Sequence, residues 1–129
     1  LWQQQLGKYD MKKIICTFAG LMVFSSWASA GETLDADAVK KLVTGNTAHV
    51  LGPRGASKNY HSPDGKLIRL FDGAVYEGTW QVKDDGTHCV KGMPGGCGKI
   101  SDNGDGTYTR NRDDGEILKW PAIVNGKDF

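Results

Sequence analysis

Polar and apolar positions alternate along much of this chain. In YEGTWQV, Tyr76, Gly78, Trp80 and Val82 fall on one face and Glu77, Thr79 and Gln81 on the other. This is the period-two pattern of a strand with one side buried and one side wet. Further strands are expected in TAHVL (47–51), KNYH (58–61), KLIRLF (66–71), THCVK (87–91), TYTRNR (107–112) and EILKWPAIV (116–124), with Pro121 breaking or edging the last. Five Asp-Gly pairs punctuate the run, at 64–65, 72–73, 85–86, 105–106 and 114–115. Asp-Gly between alternating segments is a strong hairpin signal, because it accepts the positive φ of tight turns.

One segment has a different period. In TLDADAVKKLVTGN, Val39, Leu42 and Val43 share a helical face, Asp35 is placed to cap the N-terminus, and Leu34 and Val39 form a hydrophobic staple. Lys40 and Lys41 sit at the negative end of the helix dipole, and Gly45 supplies the stop. The predicted fold is mainly β: a short N-terminal helix, set to cover an open end or face of the sheet, followed by an antiparallel meander forming a small barrel or half-barrel.

The first thirty residues are expected to lie outside that fold. MKKIICTFAGLMVFSSWASA (11–30) has two lysines, an apolar run of about 11 residues and a closing Ala-Ser-Ala, the three parts of a secretory signal peptide with cleavage after Ala30. The run is shorter than the roughly 20 residues that a membrane-spanning helix needs. Residues 1–10 read as an upstream extension, not part of the fold. Residues 31–129 then form a single β-rich domain, expected in the periplasm of a Gram-negative bacterium or secreted. Of the 16 basic residues 13 remain in it, against 14 acidic ones, so its net charge is about −1. That balance gives no electrostatic case for nucleic acid, and no stable membrane insertion is expected after cleavage.

Export changes the reading of the cysteines. Cys16 leaves with the signal, so Cys89 and Cys97 remain, an even pair in an exported domain, expected to form a disulfide. The intervening KGMPGG is rich in turn formers, which lets the ends approach. A zinc site from Cys89, Cys97, His88 and His61 lacks paired C-x2-C spacing, and His88 and Cys89 would point to opposite faces of a strand. No redox or haem motif is present. No metal and no cofactor is expected.

Other chemistry is thin. SDNGDGTYTRNR puts Ser101, Asn103 and Asp105 at the first EF-hand positions but Arg112 where a bidentate Glu is needed, so a hairpin loop is expected. GPRGASK lacks a P-loop ending, although Arg54 and Lys58 could hold an anion there. His49, His61 and His88 fall on separate strands or loops, with no nucleophile elbow. No catalytic residue is assigned, and no enzyme is expected. The aromatics Tyr76, Trp80, Tyr108 and Trp120 are the candidate ligand-binding residues, lining a barrel mouth if they are not simply core.

The order LDADAVKKLVTGNT, YHSPDG, GTWQVKDDGTHCV with a second Cys, and ILKWPAIVNGKDF resembles a family of small secreted proteobacterial proteins of unknown function, over residues 34–129. The resemblance implies compartment and fold, and no activity. Gly78-Thr79-Trp80 is also similar to the calycin G-x-W signature, although here it lies mid-chain. The expected role is a non-catalytic domain that binds a cell-envelope component or protein, including an enzyme it inhibits. The alternative is a calycin-like carrier of a small apolar ligand.

Overall fold

A computed structural model describes residues 31–129; the expected upstream extension and signal peptide lie outside the described residues. The elements in order are β1 (Glu32–Thr33), α1 (Ala36–Val43), β2 (Asn46–Gly52), β3 (Gly55–His61), β4 (Lys66–Phe71), β5 (Ala74–Val82), β6 (His88–Lys91), β7 (Cys97–Asp102), β8 (Tyr108–Arg112) and β9 (Ile117–Asn125). Each of β2 to β9 pairs with its neighbour in sequence, and β9 returns to pair antiparallel with β2. The meander is therefore a closed eight-stranded barrel. β1 is an extra strand that pairs with the far end of β7, at Glu32 with Asp102 and Thr33 with Ser101. Closure removes the exposed strand edges that an open sheet would present.

Local chemistry explains the connections. All five Asp-Gly pairs sit at hairpin turns, and at the β4–β5 turn both Asp72 (φ 51°) and Gly73 (φ 78°) take the left-handed conformation. α1 is capped by Asp35, whose Oδ1 accepts from the Ala38 N–H at 2.9 Å. Its buried Val39 and Val43 pack on Ala48, Ile100 and Trp120, with Leu42, Trp80, Val82, Tyr108 and Ile123 around them. The helix thus plugs one end of the barrel, the end that carries the β3–β4, β5–β6 and β7–β8 turns.

Pairing decides two segments. Pro121 does not break the last strand, since β9 runs through it, but it stands where β9 becomes an edge: pairing with β8 ends at Trp120, and beyond it β9 pairs with β2 alone. His49 pairs with Ala122 and Leu51 with Lys119, so Trp120 and Pro121 together oppose Val50 in a bulge. A bulge tolerates a residue with no N–H to donate. The segment Cys97–Asp102, not named among the expected strands, is strand β7, held by β6, β8 and β1.

Cys89 and Cys97 form a disulfide between directly paired residues of β6 and β7, Cα to Cα 4.0 Å. Its short loop constrains the unfolded chain. Replacing both by alanine is expected to lower stability by about 2–3 kcal/mol in the chain-entropy account, measured as a reduced urea midpoint with an intact folded spectrum.

Candidate functional site: the barrel lumen and its open mouth

The strand alternation that buries Leu67, Ala48 and Ile100 also turns polar residues inward. Asn59 and His61 from β3, Arg69 from β4, His88 from β6 and Arg110 from β8 converge on a small inner pocket of about 40 Å3, shared with Val50, Val90, Leu118 and Trp120. His61 and His88 are 1% and 2% exposed, and Arg110 is 3% exposed. An interior this polar survives only if its groups are hydrogen-bonded.

The histidines, arginines and Asn59 are, in a single ordered chain, while the buried Trp120 Nε1 has no partner among the described residues. Arg110 Nε–H donates to His88 Nδ1 at 3.1 Å. His88 must then carry its proton on Nε2, which donates to His61 Nε2 at 3.0 Å. His61 in turn holds its proton on Nδ1 and donates to the Asn59 carbonyl at 3.1 Å. The partners fix both tautomers and leave both rings neutral. An added proton on either ring would set N–H against N–H somewhere in the chain. Burial is the main cause that pushes His61 down to about 4, with smaller contributions from the nearby Arg110 and Arg69 charges against the pull of the Asn59 carbonyl. Burial likewise pushes His88 well below the usual histidine range, helped by His61 and Arg110.

Arg110 is a buried cation without a carboxylate partner among the described residues. Beyond His88 Nδ1, its Nη1 donates to the Gly95 carbonyl at 2.8 Å and its Nη2 to the carbonyls of His88 (2.9 Å) and Gly96 (2.8 Å). Burial, then repulsion from Arg112 and Arg69, lowers its pKa to about 10, so it stays charged at neutral pH. Arg69 is tied in the same way, Nε to Asn59 Oδ1 and Nη1 to the Pro94 carbonyl, both at 2.6 Å. Three of these acceptors, Pro94, Gly95 and Gly96, belong to the disulfide loop. The loop folds its carbonyls onto the two arginines, and the disulfide holds it there.

Above this floor the lumen widens. A cavity of about 250 Å3 opens to solvent at the end opposite α1, between the β2–β3, β4–β5, β6–β7 and β8–β9 turns. Its wall is mainly apolar, from Val50, Phe71, Tyr76, Pro94 and Leu118, and three arginines enter it: Arg54, Arg69 and Arg112. Arg112 is neutralised by Glu116 and Asp114, each at 2.9 Å. Arg54 and Arg69 have no carboxylate partner among the described residues.

The four candidate aromatics are separated by this architecture. Only Tyr76 lines the open cavity, where it is 45% exposed. Trp120 borders the inner pocket and stands edge-on to His88, ring centroids 5.7 Å apart. Trp80 packs edge-on to His61 at 5.3 Å and donates Nε1–H to the Ser62 carbonyl. Tyr108 packs beside the plug formed by α1. The two indoles and Tyr108 thus belong to the helix side, away from the mouth.

Other candidates resolve plainly. Cys89 and Cys97 are consumed by their bond to each other, and the Nε2 atoms of His61 and His88 face each other, so no metal-ligating set of three or more forms among the described residues. His49 sits outside the lumen and meets Asp128 at 2.7 Å, tying down the C-terminal tail. In the β7–β8 turn, Asp102 and Asp105 accept from the N–H groups of Gly104 and Thr107. Arg54 lies at the mouth, but Lys58 points to the outer face, 3.9 Å from Asp128. Sequence reasoning missed the joining of His61, His88, Asn59, Arg69 and Arg110. The available signal was the period-two step: Asn59 and His61 share one face of β3, and Arg110 and Arg112 share one of β8. No protein-family model, curated protein or solved structure matches this chain.

Proposed function

We propose that this protein is a non-catalytic binding protein whose small ligand enters the open mouth of the barrel. One observation carries the reading: a barrel plugged at one end by α1 opens at the other onto a mainly apolar cavity of about 250 Å3. Mouths of closed antiparallel barrels are a recurrent place for small ligands. The two lumen histidines, His61 and His88, are neutral, sealed and bonded to each other beneath that cavity, and His49 lies outside the lumen against Asp128. Export to an oxidising compartment, with the periplasm as the proposed location, is supported by the Cys89–Cys97 bond.

Docking of a cell-envelope protein is the second reading. It is favoured by four exposed apolar side chains, Leu51, Val75, Tyr76 and Ile117, all near the turns that surround the mouth.

Amide NMR with a panel of small apolar probes separates the two. Shifts confined to Gly52, Gly55, Tyr76 and Gly95, with α1 unmoved, are the expected result. A panel that leaves these resonances still, while an envelope extract broadens those of Leu51, Val75 and Ile117, would replace the small ligand with a protein partner.

A further inference from the structure

Apolar cavities in small barrels do not need arginine. This one has the exposed Arg54 and the half-buried Arg69 in its wall, two guanidinium groups with no carboxylate partner among the described residues, above a buried cation, Arg110. Glu116, the acid in the cavity wall, is already engaged, since it and Asp114 both bind Arg112. Burial, and then the charge of Arg54, lower the pKa of Arg69, so the half-buried Arg69 meets the charge of an exposed guanidinium across the mouth. Nature of the packing alone does not require this repulsion, because Arg54 stands on an exposed turn.

We propose that the mouth takes a small amphipathic carboxylate, its apolar body against Val50, Phe71 and Leu118 and its carboxylate between Arg54 and Arg69. The inference rests on the reading above that the cavity holds a small ligand, and it names the ligand's class. Arg69 has Nε and Nη1 committed to Asn59 and Pro94, which leaves its Nη2 edge to meet a planar oxyanion, and guanidinium suits that geometry. Glu116 on the same wall disfavours a second negative charge on the ligand. The volume is that of about eight water molecules at liquid density, room for a single aromatic ring or a short alkyl chain within the walls.

Calorimetric titration with octanoate and phenylacetate, each beside its neutral amide, tests this. Each acid is expected to bind about tenfold more tightly than its amide, a difference of about 1.4 kcal/mol. Arg54→Gln, on an exposed turn, is expected to remove most of that preference while leaving amide binding and the melting temperature unchanged. Arg69→Gln should do the same, but it also loses its bonds to Asn59 and Pro94, so the Arg54 variant decides. Equal binding of acid and amide would overturn the carboxylate assignment and leave the small-ligand reading standing. Inorganic phosphate binding as tightly as the acids would overturn it as well, since the apolar wall would then contribute nothing. If neither acids nor amides bind and the mouth resonances stay still, both readings fall.

Discussion

Between pH 7.5 and pH 4.5 the folded state is expected to lose about 2–3 kcal/mol through His61 alone. The unfolded histidine titrates near 6.5 and the folded one near 4. As the pH falls through that window, the unfolded chain takes up a proton that the native lumen refuses, so stability rises with pH across it and is fully restored above about 6.5. His88, held lower still, adds to the same slope. The exposed aspartates Asp64, Asp85 and Asp105 have carboxyls held below the usual carboxylate value by hydrogen bonds within their turns, with the Ser62, Thr87 and Thr107 side chains as the first causes. Their contribution is present above the unfolded carboxylate range and disappears only at lower pH. Urea denaturation at pH 7.5 and 4.5 separates the two windows. A small domain has only about 5–15 kcal/mol in total, so the histidine effect is a large fraction of it. His61→Gln with His88→Gln should flatten the profile above pH 4.5. A wild-type profile already flat there would mean that the two rings take up protons in the native state.

Arg110→Met is expected to destabilise the protein by about 2–4 kcal/mol, through the loss of several hydrogen bonds made by one charged group. The Gly95 carbonyl and the Nδ1 of His88 lose the donor that Arg110 supplies, whereas the Gly96 carbonyl keeps the Val90 N–H and His88 keeps its ladder pairing with Gly98. The opposing effect is relief from burying a cation with no carboxylate beside it, the reason some buried charges can be replaced at little cost. The hydrogen bonds are expected to win because the carbonyls of a disulfide-closed loop cannot turn to water without opening the barrel wall. A second readout separates this from simple loss of packing. Removing the Arg110 charge takes away one of the causes that depress His61 and His88, so the pH slope of the variant should be shallower than that of the wild type. A variant as stable as the wild type would show that the guanidinium is not what holds the loop.

Much of the architecture was legible because its causes are local. The Asp35 cap, the Val39 and Val43 face and the five Asp-Gly turns each depend on a few adjacent residues, and each lies where its chemistry requires. β7 was not legible: Cys97-Gly98-Lys99-Ile100 has one strong apolar residue and a glycine, and it is a strand because β6, β8 and β1 supply its hydrogen bonds. Its glycine is required from outside as well, since a Cβ on Gly98 would lie 2.7 Å from the Asn111 carbonyl oxygen on β8. Pro121 is the same lesson in reverse, a local breaker accommodated by a bulge that only the pairing with β2 creates.

The helix, the turns, the strand period and the pairing of the two cysteines can be read from the chain alone, because each follows from dihedral preference, capping or loop closure over short distances. Tertiary structure decided that the meander closes, and which face of each strand is inside. Alternation tells which residues share a face, but a face carrying Arg110 and Arg112, or Asn59 and His61, looks like the solvent side until its partners are known. Those polar groups can turn inward only because β3, β6 and the disulfide loop bring acceptors to them within the lumen. That juxtaposition involves residues tens of positions apart, and no local preference encodes it.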